Sequence, residues 1–184
     1  TDVIITGNGI EFSPNPSDLY DLDHHYYYTW GINWQIPENH QITSATLSFY
    51  NINNWEWEEN DILYVNLLDS ALSGINMFLD DQELGNAFTG KGWLLFDYTD
   101  SDENLPANLV YSFNAAQLGL LNQVSADGNF GFGFDPDCHY FNDNIKFTVT
   151  TKVVPEPTAA YLFLWGGGII SFIIKRKKKL TTYE

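Results

Sequence analysis

Two six-residue stretches share one pattern. Asp21-Leu22-Asp23-His24-His25-Tyr26 and Asp135-Pro136-Asp137-Cys138-His139-Tyr140 both read Asp-x-Asp-x-His-Tyr. Carboxylates at i and i+2 of an irregular loop can turn toward one ion. Calcium takes six to eight oxygens at about 2.3–2.6 Å, from carboxylates, amides and carbonyls. Asn142, Asp143 and Asn144 follow the second stretch and add oxygens. Zinc would instead select the imidazoles of His24, His25 and His139, with the Cys138 thiolate as a further donor. The carboxylate-heavy loops favour calcium over zinc, with Asp21, Asp23, Asp135, Asp137 and His139 as the candidate ligands. The plainer alternative is a pair of solvated loops whose aspartates cap turns.

Aromatic side chains form a second constellation. Trp55-Glu56-Trp57 sets two indoles on one face of an extended chain, beside the acidic run Glu58-Glu59-Asn60-Asp61, and Tyr26, Tyr27 and Tyr28 are consecutive. Exposed rings stack on sugars while neighbouring Asp and Asn accept hydroxyl hydrogen bonds, so Trp55, Trp57 and Tyr26 are candidate sugar-stacking residues. The competing reading is burial, because aromatics supply large core area. Support for catalysis is thin. There is no Gly-x-Ser-x-Gly, no His-Glu-x-x-His and no phosphate loop. The expectation is a protein that is not an enzyme, with a metal-dependent hydrolase as the outside alternative.

The elements that must position these residues read as strands. In Ile42–Ile52, Ala45, Leu47 and Phe49 alternate with Thr46 and Ser48, which gives one core face and one wet face. Phe130, Phe132 and Phe134 alternate with Gly131 and Gly133. Further strands are expected at 2–6, 26–34, 62–69, 93–98, 109–113 and 145–150, about eight in all. Asn53-Asn54 is expected to turn the chain, and 69–90 to be irregular around an apolar group of Ile75, Met77, Phe78 and Leu79. Asn114 can cap a short helix from Ala115 to Asn122. No strand–helix alternation occurs, so the fold class is all-β: an antiparallel β-sandwich, jelly-roll-like, spanning 1–152.

Charge narrows the partners. The chain carries −16 overall, but only Lys91, Lys146 and Lys152 are basic before Pro155. Against them stand 22 of the 24 acidic residues, which puts the body at −19. Such a surface repels phosphate backbones and excludes nucleic acid. Divalent cations and neutral sugars are compatible, and solubility alone also accounts for it. Cys138 is the single cysteine, so no intramolecular disulfide forms. The stretch opens at Thr1 without a basic n-region, and the expectation is that an export signal has been removed or lies outside it.

The last thirty residues carry the most specific pattern. A linker, 153–158, contains Val154-Pro155-Glu156-Pro157. An uncharged run follows at 159–174, then Lys175-Arg176-Lys177-Lys178-Lys179 within the tail 175–184. Sixteen residues of helix span about 24 Å, short for a bilayer core of about 30 Å, and flanking lysines can snorkel. A single transmembrane helix is expected, with the basic cluster cytoplasmic and the body outside. This order of parts, with Gly166-Gly167-Gly168 inside the span, resembles the PEP-CTERM sorting signal of secreted proteins from exopolysaccharide-making Gram-negative bacteria. The resemblance implies recognition by the membrane protein exosortase, proposed to cut near Pro-Glu-Pro, and a final place at the cell surface or in the exopolysaccharide of a biofilm. It covers the tail alone. For the body, a surface or matrix role is expected first and a calcium-dependent carbohydrate-binding module second.

Overall fold

In chain order the elements are β1 (Asp2–Thr6), β2 (Gly9–Ser13), β3 (Asp21–Leu22), β4 (Tyr26–Asn33), β5 (His40–Asn54), β6 (Leu63–Leu68), β7 (Gly74–Leu79), β8 (Trp93–Tyr98), β9 (Ala107–Ser112), α1 (Ala115–Val124), β10 (Asn129–Pro136), β11 (Tyr140–Phe141) and β12 (Asn144–Val153). They come from a computed structural model, which describes residues 2–6, 9–14, 19–55, 61–80, 84–100 and 105–154. Trp57, the Pro155-Glu156-Pro157 segment, the expected span at 159–174 and the basic tail lie outside the described residues. Among the described residues no helix is long and apolar enough to cross a membrane.

The phenylalanine stripe explains the core. Successive side chains of a strand point to opposite faces, so β10 turns Phe130, Phe132 and Phe134 the same way, and all three are wholly buried. β10 lies antiparallel between β4 and β6 in a five-stranded sheet ordered β7-β4-β10-β6-β8. The other sheet runs β1-β2-β12-β5-β11-β3, with β9 also paired to β5. The two meet through rings. Phe132 lies 4.8 Å from Phe147 of β12, and Phe134 lies 5.8 Å from Phe49 of β5. Each buried phenylalanine contributes roughly 1.5–3 kcal/mol relative to exposure. Ala45, Leu47 and Phe49 of β5 point inward as their alternation requires.

The helix follows its cap. Asn114 accepts from the Gln117 amide at 3.0 Å, and the Gln117 side chain accepts from the Asn114 amide at 3.0 Å, a reciprocal capping box. Asn122 then grips β5, bonding both the amide and the carbonyl of Ile42. The helix runs two residues past the expected end, to Val124.

Four strands were not expected: β2, β3, β7 and β11. β3 and β11 have two residues each, too few to show a period. β7 occupies part of the 69–90 stretch expected to be irregular. It is an edge strand on β4, and Met77 and Leu79 are exposed there, so its pattern lacks a polar face. Asn53-Asn54 does not turn the chain. Both residues continue β5 and pair with Phe141 and Tyr140, while the irregularity falls at Asn51, whose φ of 51° is left-handed.

Candidate functional site

The two Asp-x-Asp-x-His-Tyr stretches become neighbours through β3 and β11. These strands pair antiparallel, Leu22 opposite Tyr140 and Asp21 opposite Phe141. Leu22 and Tyr140 are wholly buried and anchor the pair. Tyr140 also donates its hydroxyl to the Asp61 carbonyl at 2.7 Å. His139, one residue before β11, therefore arrives beside Asp21 and Asp23. Its Nδ1 lies 3.2 Å from Asp21 Oδ1 and its Nε2 lies 3.4 Å from Asp23 Oδ1.

Asp23-His24-His25 forms the turn into β4. The Tyr26 amide donates to the Asp23 carbonyl at 3.0 Å, and the His25 amide donates to Asp23 Oδ1 at 2.9 Å. The latter is the Asx-turn geometry that aspartate favours. His25 Nδ1 also sits 2.9 Å from Asp23 Oδ1. The His24 ring lies 4.1 Å from that of His25 and 5.0 Å from that of His139, between centroids. One donor atom each from Asp23, His24 and His25 falls within 4.8 Å of the others. Burial works to raise the Asp23 carboxyl. Hydrogen bonds from the His25 backbone and ring, with the nearby His139 and His25, outweigh it and hold the group below its ordinary value. The Asp23 amide donates to the buried Tyr28 hydroxyl at 2.9 Å, and burial pushes that phenol up to about 12, so it stays neutral.

Asp135 and Asp137 make a different set of contacts. Asp135 Oδ2 accepts the Ala87 amide at 2.6 Å, and Asp137 accepts the Gly85 amide at 3.3 Å. Both therefore hold the 84–88 loop, with Asp80 close by. Of the five candidate ligands, Asp21, Asp23 and His139 come together, and Asp135 and Asp137 turn to that loop. His24 and His25 complete the first group. Their adjacency to Asp23 was the available signal, but only the turn puts both rings beside His139. Cys138 is buried, its thiol directed at the carbonyls of Trp55 and His139 at 3.7 and 3.6 Å. No protein-family model, curated protein or solved structure matches the chain.

Of the sugar-stacking candidates, Trp55 stands at the edge of the Asp–His group. The residue is 44% exposed, and its ring lies 5.3 Å from that of His139. Tyr26 is half-buried. Tyr27 stacks on Phe78 at 5.2 Å and Tyr28 enters the core, so the three tyrosines do not share one face.

Asp135 carries a pH dependence. It is wholly buried, and its Oδ1 has no hydrogen-bond partner among the described residues. Burial, reinforced by Asp80 and Asp137, pushes its carboxyl up to about 7 against the Ala87 amide bond that opposes the rise. An unfolded aspartate titrates near 3.9. The folded state thus binds the extra proton between about pH 4 and 7. Its contribution to stability is full below pH 4 and is lost as pH rises to about 7. The limiting slope for one proton is about 1.4 kcal/mol per pH unit. Asp135→Asn keeps an oxygen for the Ala87 amide and cannot ionise. Urea unfolding from pH 4 to 8 should show the variant gaining on the parent as pH rises. A difference between the two that is flat across this range would reject the assignment.

Proposed function

We propose that this chain is an exported, non-enzymatic protein of the cell surface or exopolysaccharide matrix, delivered through a PEP-CTERM tail that an exosortase-like membrane protease recognises. The observation that carries the reading is the position of the boundary. A compact unit ends at Lys152, and the Val154-Pro155-Glu156-Pro157 motif begins two residues later. A self-contained cargo and a sorting handle divide at that point. The body's charge of −19 suits a hydrated, cation-bearing matrix. The strand arrangement supports a sandwich of jelly-roll type: β2-β12-β5-β9 faces β4-β10-β6-β8, with the chain crossing between sheets at most connections.

The test is expression of the full chain behind an added cleavable export signal, tagged between that signal and Thr1, in a Gram-negative host with and without an exosortase. With the enzyme, a shortened body cut near Pro155–Pro157 should accumulate outside the cell. Without it, or after replacing Pro155-Glu156-Pro157 by alanines, the uncut chain should stay in the membrane fraction. Equal processing in both hosts would overturn the reading.

A calcium-dependent carbohydrate-binding module is the second reading, favoured by the exposed Trp55 indole beside ionisable side chains. Retention on insoluble polysaccharide that needs both calcium and Trp55 distinguishes it.

A further inference from the structure

We propose that Asp23, His24, His25 and His139 bind one divalent transition-metal ion of the zinc class, with Asp21 as the carboxylate that orients His139. The inference is independent of the sorting reading, because it concerns a site within the body.

Ligand spacing carries the argument. Four donors at the zinc distance of about 2.0–2.1 Å in a tetrahedron stand about 3.3 Å from one another. Asp23 Oδ1 lies 3.4 Å from His139 Nε2 and 2.9 Å from His25 Nδ1. One donor atom of His24 falls within 4.8 Å of those of Asp23 and His25, and its ring is tilted 76° to that of His139. Asp23, His24 and His25 already cluster, and His139, outside that 4.8 Å set, approaches it at the shared Asp23 Oδ1, so its ring must turn toward His24 and His25 for all four to share one ion.

The second shell is present as well. Metal-binding histidines commonly donate their remaining N–H to a carboxylate, which sets the tautomer and the ring's aim. Asp21 Oδ1 stands 3.2 Å from His139 Nδ1. In the neutral ring that bond puts the proton on Nδ1, so Nε2 presents its lone pair on the side of Asp23.

The backbone that carries the donors is tied on both segments. His139 is fixed by the pairing of β11 with β3 and by the Trp55 amide donating to its carbonyl at 2.9 Å. The 23–25 turn is fixed by its own hydrogen bonds and by the Asp80 amide donating to the His25 carbonyl at 2.9 Å. Three imidazoles and one carboxylate suit zinc, copper or nickel. Calcium, which takes oxygen, finds a poor set here. The expected preference is therefore the reverse of the one that the acidic loops suggest in sequence.

The experiment uses the full chain, stripped with chelator and dialysed. Zinc chloride and calcium chloride are titrated separately, followed by thermal melting and calorimetry. Zinc should bind at one site per chain and raise the melting temperature, since a ligand of the native state alone must stabilise it. Calcium at equal concentration should give a smaller shift or none. His139→Ala and His25→Ala should each abolish the zinc shift. Asp21→Asn should weaken zinc binding by roughly 10–100-fold, as outer-shell changes do. Cobalt(II) added to the unmutated chain should give the visible absorption of tetrahedral nitrogen–oxygen coordination, a readout that survives if a variant fails to fold. A zinc shift retained in the His25→Ala/His139→Ala double variant would overturn the proposal. So would a calcium shift that equals or exceeds that of zinc, or the absence of any zinc shift and cobalt spectrum.

Discussion

Replacing Phe147 by alanine should lower the unfolding free energy by about 3–5 kcal/mol. Phe147 sits where the two sheets meet. Its ring lies 4.8 Å from Phe132 and 6.1 Å from Phe130 across the core, 5.6 Å from Phe12 on the paired strand β2, and 6.0 Å from Phe113. It is wholly buried. Alanine would remove the ring's transfer free energy and leave a void bounded by four other rings, which cannot all close on it. Domains are stable by only about 5–15 kcal/mol, so this one change removes a large share. Urea unfolding should show a lower midpoint at an unchanged slope. The exposed Val110, changed to Thr, provides the contrast, with an effect within about 0.5 kcal/mol. A midpoint in Phe147→Ala as high as in that control would mean that the sheets do not meet at Phe147.

Gly31→Ala should cost about 3 kcal/mol for a different reason. Gly31 lies in β4 opposite Gly131 of β10 and Gly74 of β7. A Cβ at this position would stand 2.1 Å from the Leu72 carbonyl oxygen and 3.1 Å from that of Ala71. Both are backbone atoms, so no rotamer change relieves the clash. The 71–73 segment would have to lift. It is tied down by the Ala71 amide donating to Asn129 at 3.4 Å and the Asn76 side chain donating to the Leu72 carbonyl at 3.1 Å. Overpacking typically costs about 1–3 kcal/mol, occasionally more, and a backbone contact belongs at the upper end. Gly119→Ala, in α1 with open space around it, should instead gain about 0.5–1 kcal/mol. Chemical unfolding of both variants measures the contrast. Equal stability in the two would show that no close backbone approach exists at Gly31.

The long elements were legible because each carries its own period. In β5 the alternation of Ala45, Leu47 and Phe49 with polar partners points to one buried face, and that face is buried. Asn114 was legible as the helix cap because capping is local, and the structure adds Gln117 as its reciprocal partner. The β10 stripe was readable, but the reason for its glycines was not. Gly133 is small because the Phe88 ring, from a loop 45 residues earlier, would lie 2.6 Å from a Cβ there. Nothing near Gly133 in the chain records that approach.

The candidate site divides along the same line. Residue types and the repeated Asp-x-Asp-x-His-Tyr pattern pointed to the side chains that could carry chemistry. Sequence alone treated the two stretches as equivalent. The fold makes them unlike. Asp135, on a central strand, is buried and holds a loop, while Asp21, on a two-residue strand at the sheet's end, stays exposed beside His139, 118 residues away. Local pattern determines which atoms a segment offers. Which of them meet depends on strand register, and register is decided by burial of residues far apart in the chain, Leu22 against Tyr140 in this case.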